Sequence, residues 1–177
     1  MTFSGGRGSA LLAVLAVLGC VFFTPVSAYT VDGIAPVALT PYVQEPMKVV
    51  QEKAEDGDGA AELELGLRYV RGYDGIRDVP LGVEWIRKAA DRGIPQAEHE
   101  LGALYLMGVG VPQSNETAAL WFGRAAIQGY APSQTALGFA YEEGAGVPQN
   151  AQRARYWFDK AAAQHGAVAE ESLQGGM

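Results

Sequence analysis

Cysteine is nearly absent from this chain, and so are the other side chains on which most site chemistry depends. Cys20 is the one cysteine in 177 residues, and His99 and His165 are the two histidines. A lone thiol excludes a disulfide framework within the chain. The histidines lie far apart, with no cysteine or Asp/Glu cluster at metal-ligand spacing, so no metal and no cofactor are expected. No Gly-x-Ser-x-Gly, phosphate-loop or dinucleotide fingerprint occurs, and no catalytic residue is expected. Positive charge is scarce too: 13 Lys and Arg stand against 20 Asp and Glu, a formal charge of −7. Nucleic-acid binders usually carry a basic face, because phosphate neutralisation dominates their affinity, so a nucleic-acid partner is not expected. Long apolar runs are missing but for one. Ala10 to Phe23 spans 14 residues, short of the roughly 20 that a bilayer span takes.

That run sits in a segment with the layout of a secretory signal peptide. Arg7 is its only charge, and Thr24 and Pro25 lead into Val26-Ser27-Ala28, whose small or β-branched residues suit cleavage before Tyr29. Residues 1–28 are therefore set apart from the fold, and the chain is expected to be exported, with a periplasmic location. Two alternatives stay open: an uncleaved N-terminal anchor, and a lipoprotein in which Val17-Leu18-Gly19-Cys20 is a lipobox and Cys20 is acylated. The apolar Val21-Phe22-Phe23 beyond the cysteine counts against the second. Membrane attachment is expected only if Cys20 is lipidated. Residues 29–46, with Pro36, Pro41 and Pro46 and no helical periodicity, read as an extended leader or tether.

What the chain has in abundance is repetition. Leu65-Gly66, Leu101-Gly102 and Leu137-Gly138 recur at a spacing of 36, as do Tyr69, Tyr105 and Tyr141, and Trp85, Trp121 and Trp157. Gly72, Gly108 and Gly144 keep the same spacing, and so do the alanine pairs ending at Ala90, Ala126 and Ala162. A fixed period of this length marks a repeat architecture. Each copy divides into two helices. Ala97, Leu101 and Tyr105 form one helical stripe, Gly108 to Pro112 breaks it, Asn115 is the expected N-cap of the second helix, and Gly129 stops that helix. Glycine inside a helix costs roughly 0.5–1 kcal/mol, so Gly66, Gly102 and Gly138 predict close helix–helix approach, with the alanine pairs as the matching flat surface. Met47–Asp56 reads as the second helix of an incomplete leading repeat, and residues 167–177, after Gly166, as a separate capping helix. The expected repeats are about 58–93, 94–129 and 130–166.

The pattern Ala-x3-Leu-Gly-x2-Tyr-x2-Gly, a Gly-Val-Pro turn, then Trp-x3-Ala-Ala-x2-Gly resembles the Sel1-like repeat, a 36-residue relative of the tetratricopeptide repeat. The turn is intact at Gly108–Pro112 and Gly144–Pro148. It departs from the pattern at Gly72–Ile76, and Ser133 replaces the first alanine of the third stripe. The resemblance implies an all-α, right-handed solenoid of antiparallel helix pairs over 47–177. It also implies a non-catalytic module, an adaptor or assembly factor that binds a protein or peptide on its concave side. By that likeness the groove is lined by Leu63, Leu67, Val70 and Arg71, by His99, Ala103, Leu106 and Met107, and by Thr135, Phe139, Glu142 and Glu143. The alternative for the apolar members is packing against adjacent helices. A lipoprotein scaffold of an envelope complex is the alternative role. A hydrolase of cell-wall or β-lactam substrates is more remote: the cysteine-rich relatives linked to β-lactams have paired cysteines that are missing here.

Overall fold

The 36-residue period becomes a run of short helices of nearly equal length. The computed structural model describes residues 40–174, with side chains over 40–73 and 75–164. The described residues belong to the compact unit Ala38–Met177. The signal segment, Cys20 and residues 29–39 of the leader lie outside the described residues. Helix α1 is Met47–Glu55. Three pairs follow: α2 (Gly59–Arg71) with α3 (Val79–Asp91), α4 (Pro95–Met107) with α5 (Asn115–Ile127), and α6 (Ala131–Glu143) with α7 (Ala151–Gln174). A short 3-10 turn, Tyr73–Gly75, joins α2 to α3. No strand occurs among the described residues, and none of their helices is long and apolar enough to cross a membrane. Packing runs between chain neighbours, most densely within each pair and next between successive pairs. The fold is an all-α solenoid of helix pairs.

Local chemistry sets the helix ends. Gly72, Gly108 and Gly144 close the first helices in the left-handed region, at φ of 77°, 68° and 72°, where a residue without Cβ is least strained. Pro95 and Pro132 sit in first turns, where a missing N–H costs nothing. The second helices are capped by Asp78, Ser114 and Asn150. Their side-chain oxygens accept from the N–H of Leu81, Thr117 and Arg153 at 3.0, 3.1 and 3.0 Å. Ser114, not the expected Asn115, is thus the cap of α5, and Asn115 is its first helical residue.

The glycines predicted to mark close approach do so, but against a different surface. A Cβ on Gly66 would lie 2.6 Å from Ile86, one on Gly102 2.8 Å from the Phe122 ring, and one on Gly138 2.6 Å from the Phe158 ring. These partners are 36 residues apart and belong to the second helix of the same pair. Ala90 instead clusters with Ala97 and Leu101, and Ala126 with Leu137 and Ala140, so the alanines face the next repeat. Leu65, Leu101 and Leu137 are buried between the helices, and Tyr69, Tyr105 and Tyr141 are half-buried beside them. Ala162 departs from its counterparts and is exposed. The reason is that α7 does not turn back at Gly166 to cover it but continues to Gln174. Gly57, Gly93 and Gly129 turn the chain at positive φ, each with a capping aspartate or a proline close behind. Gly166 is followed by Ala-Val-Ala-Glu, with neither. One glycine inside a helix costs only about 0.5–1 kcal/mol against alanine.

The described part of the leader is not an extended tether. Residues 41–44 form a turn that docks on α2. The Arg68 guanidinium donates to the carbonyls of Tyr42 and Val43 at 2.8 and 3.3 Å. The Tyr42 hydroxyl donates to Asp58 at 2.7 Å, and the Thr40 hydroxyl donates to Glu64.

Candidate binding face

The first helices of the three pairs carry the predicted groove, and the structure splits its residues into two sets. Leu63, His99 and Ala103 are only 3%, 5% and 1% exposed, so they do not line an open groove. The first helix of a middle repeat packs on its own partner and on both neighbouring repeats, so positions half a turn from the main stripe become interface. Leu63 shares a cluster with Ala97 of the next first helix. One repeat later the corresponding residues are His99 and Ser133, and His99 Nδ1 lies 2.8 Å from Ser133 Oγ. A leucine and an alanine of one cluster have been exchanged for a hydrogen-bonded polar pair at the same place in the stack. Phe122 and Tyr130 flank the imidazole, with ring centroids 5.3 and 5.4 Å away. Burial pushes the His99 pKa from 6.5 down to about 4, so the ring is neutral at pH 7. The serine–histidine distance suits a nucleophile and base, but Ser133 is fully buried, and the pair serves packing.

The second set remains open to solvent in part. Leu67, Val70, Leu106, Met107, Thr135 and Phe139 are half-buried, and Arg71, Glu142 and Glu143 are exposed. The last two residues of the three first helices are Val70-Arg71, Leu106-Met107 and Glu142-Glu143, so equivalent positions run from basic through apolar to acidic. The rings of Phe139 and Phe158 meet edge to face, with centroids 5.0 Å apart. The Thr135 hydroxyl donates to Ala131 O at 3.2 Å. Arg71 lies 3.9 Å from Glu100. Burial raises the Glu100 pKa and Arg71 offsets part of that rise. Burial, with the charge of Glu100, pushes the Tyr130 phenol up to about 12.

Two polar columns escaped the sequence reading. Glu62, Glu98 and Gln134 are buried near the starts of the first helices. Each is held by the residue 30 positions later: Arg92 to Glu62 at 2.8 Å, Gln128 to Glu98 at 2.7 Å, and Gln164 to Gln134 at 3.0 Å. Burial raises the Glu98 pKa, against the opposing pull of Arg124 and Gln128. Arg77, Gln113 and Gln149 donate to the carbonyls of Val70, Leu106 and Glu142 at 3.3, 2.8 and 2.8 Å, satisfying helix ends. The 36-residue spacing could have exposed both columns, since their residues share a role though not an identity. Among the described residues no group of three or more His, Cys, Asp or Glu is placed to hold a metal.

The model of the Sel1 repeat matches residues 59–94, 95–130 and 131–165. A crystal structure of a Sel1 repeat protein from Oxalobacter formigenes is 75% identical, covers 73% of this chain and 99% of its own, and superposes with a TM-score of 0.71. A protective antigen present in uropathogenic Escherichia coli strains, displaying an SLR fold, is 42% identical over 67% of this chain with a TM-score of 0.64; the match takes in 25% of the antigen's length. Cysteine rich protein B of Helicobacter pylori shares the fold at 18% identity and a TM-score of 0.54, over 73% of this chain and 92% of its own. No curated protein is similar enough to count as a match.

Proposed function

The chain belongs to the Sel1 repeat family, whose members are generally non-catalytic protein-interaction modules, and we propose that it acts as an extracytoplasmic adaptor that receives a protein or peptide along the ends of its first helices. The observation that carries this reading is the row Leu67, Met107 and Phe139, apolar and only half-buried, with Arg71 towards one end and Glu142 and Glu143 at the other. Partly exposed apolar side chains with polar borders favour contact with another molecule. A partner with an acidic group at one end, a basic group at the other and apolar side chains between them matches the row. Leu63, His99 and Ala103 are no part of this face. Export rests on the signal-like segment 1–28. Acylation of Cys20 would make the same module a membrane-tethered scaffold, and mass spectrometry of the mature N-terminus separates Tyr29 from acylated Cys20. The test of the face is Leu67→Ser, Met107→Ser and Phe139→Ser together. With helicity unchanged by circular dichroism, crosslinked capture of the native envelope partner is expected to vanish, and undiminished capture would sink the assignment.

A further inference from the structure

Where α1 ends beside the last turns of α3, the chain leaves an open cleft of about 470 Å³, within the range of small-molecule sites. Glu55 of α1, Glu62 of α2, and Trp85, Lys88, Asp91 and Arg92 at the end of α3 line it. The frame of this cleft recurs along the chain and its charges do not. The 36-residue period puts Trp121 and Trp157 in the place of Trp85, and Ala90 and Ala126 in the place of Ala54. Asp91 and Arg92 give way to Ile127 and Gln128 at the next junction and to Ala163 and Gln164 at the one after. Glu62 becomes Glu98 and then Gln134. The first junction alone sets two cations among three carboxylates.

Those charges are only partly used by one another. Arg92 Nε donates to Glu62 Oε2 at 2.8 Å, and Glu62 is only 2% exposed, so this pair fixes one wall. Lys88 makes no ion pair among the described residues; its ammonium lies over the Trp85 ring, 3.7 Å from the centroid. The Asp91 carboxylate, three residues along the same helix, accepts no hydrogen bond among the described residues. The Glu55 carboxylate accepts only from Gln51, at 2.9 Å. A pure anion in the cleft would meet Asp91 and Glu55, and a pure cation would meet Lys88 and Arg92, so neither is matched. A molecule with both signs is: its carboxylate meets Lys88 and Arg92, its ammonium meets Asp91 and Glu55, and an apolar group covers the indole.

We propose that this cleft binds a small zwitterion with an apolar side group, a free amino acid or a short peptide with both ends free. The site shares no residue with the row Leu67, Met107 and Phe139 and does not rest on the reading of that row. Isothermal titration calorimetry of the full chain is expected to show one-site binding of phenylalanine or the dipeptide Ala-Phe, with a dissociation constant of about 1 mM or below. The tighter of the two probes names the source, and either supports the proposal. N-acetylation or amidation of the tighter probe removes one charge and should weaken binding by roughly tenfold or more. Lys88→Gln and Asp91→Asn should each weaken it to a similar degree, with the melting temperature preserved because both side chains are exposed. Arg124→Gln, at the next junction, should leave binding unchanged. Absence of binding by both probes overturns the proposal. Equal affinity for the acetylated or amidated probe overturns it too, since the site would then read one charge only. So does binding indifferent to Lys88→Gln and Asp91→Asn.

Discussion

At the scale of single residues, His99 and Ser133 show how a repeat protein changes one contact without changing its fold. The pair stands where Leu63 and Ala97 stand one repeat earlier, so each polar residue is intelligible only through the other. His99→Leu alone leaves the fully buried Ser133 hydroxyl without its partner, at a cost of about 1–3 kcal/mol. Ser133→Ala alone strands the imidazole to a similar degree. The double substitution restores the residue pair of the first repeat and should cost much less than the sum, which a double-mutant cycle in urea measures. The histidine also makes stability depend on pH. The unfolded imidazole titrates near 6.5 and the folded one near 4, so on acidification the unfolded state takes up its proton first. Stability is fully present above pH 6.5 and is lost progressively down to about pH 4. That component should be missing from the His99→Leu/Ser133→Ala chain. Glycines make a second residue-scale contrast. Gly102→Ala places a methyl 2.8 Å from the Phe122 ring and should cost about 1–3 kcal/mol. Gly123→Ala meets open space and should gain about 0.5–1 kcal/mol. Denaturant titration of the two variants decides both signs.

At the scale of elements, the helices were legible because their columns repeat identical residues: Leu-Gly, Tyr, Trp and Ala-Ala recur unchanged, and hydrophobic burial has one solution for them. Columns that keep a role while changing residue were not legible in the same way. Asp78, Ser114 and Asn150 all cap second helices, yet within the second copy Ser114 and Asn115 are both good capping residues, and only the column across three copies tells them apart. The open face was misjudged at Leu63, His99 and Ala103 for a different reason. Helical angle alone cannot tell which side of a first helix meets the next repeat and which meets water. The leader was missed because its docking depends on α2 having no full repeat before it. Where later first helices carry Glu100 and Leu104, or Ala136 and Ala140, α2 carries Glu64 and Arg68. These form a buried ion pair at 2.8 Å whose arginine also holds the leader carbonyls. Arg68→Leu should therefore cost about 3–5 kcal/mol, since it leaves the Glu64 carboxylate buried without its counter-ion. Glu64→Ala with Arg68→Ala, which copies α6, should cost far less. Both variants should free residues 40–46, so limited proteolysis is expected to cut the leader in both while thermal melting falls steeply only in the first.

At the scale of the whole molecule, stability is a chain of neighbour contacts, and the two ends differ from the middle. Helix α4 is covered by α5 within its own pair and by α3 of the pair before, and its His99 reaches Ser133 of the pair after. Helix α1 has α2 as its main neighbour, and α7 has α6. Each repeat also has a polar tie between its two helices: Arg92 to Glu62, Gln128 to Glu98 and Gln164 to Gln134. Helices of about 13 residues are marginal alone, so opening should begin where a helix has neighbours on one side and should stop where it has them on both. Native-state hydrogen exchange is expected to show the slowest amides in α4, with α3 and α5 next, α6 faster, and α1 and α7 fastest. The gradient should steepen in Glu62→Ala, which removes the tie of the first repeat and leaves Arg92 without its carboxylate, because α1 and α2 then open without the rest. Equal protection across all the helices would mean that the stack unfolds only as one unit, and would refute the nearest-neighbour account.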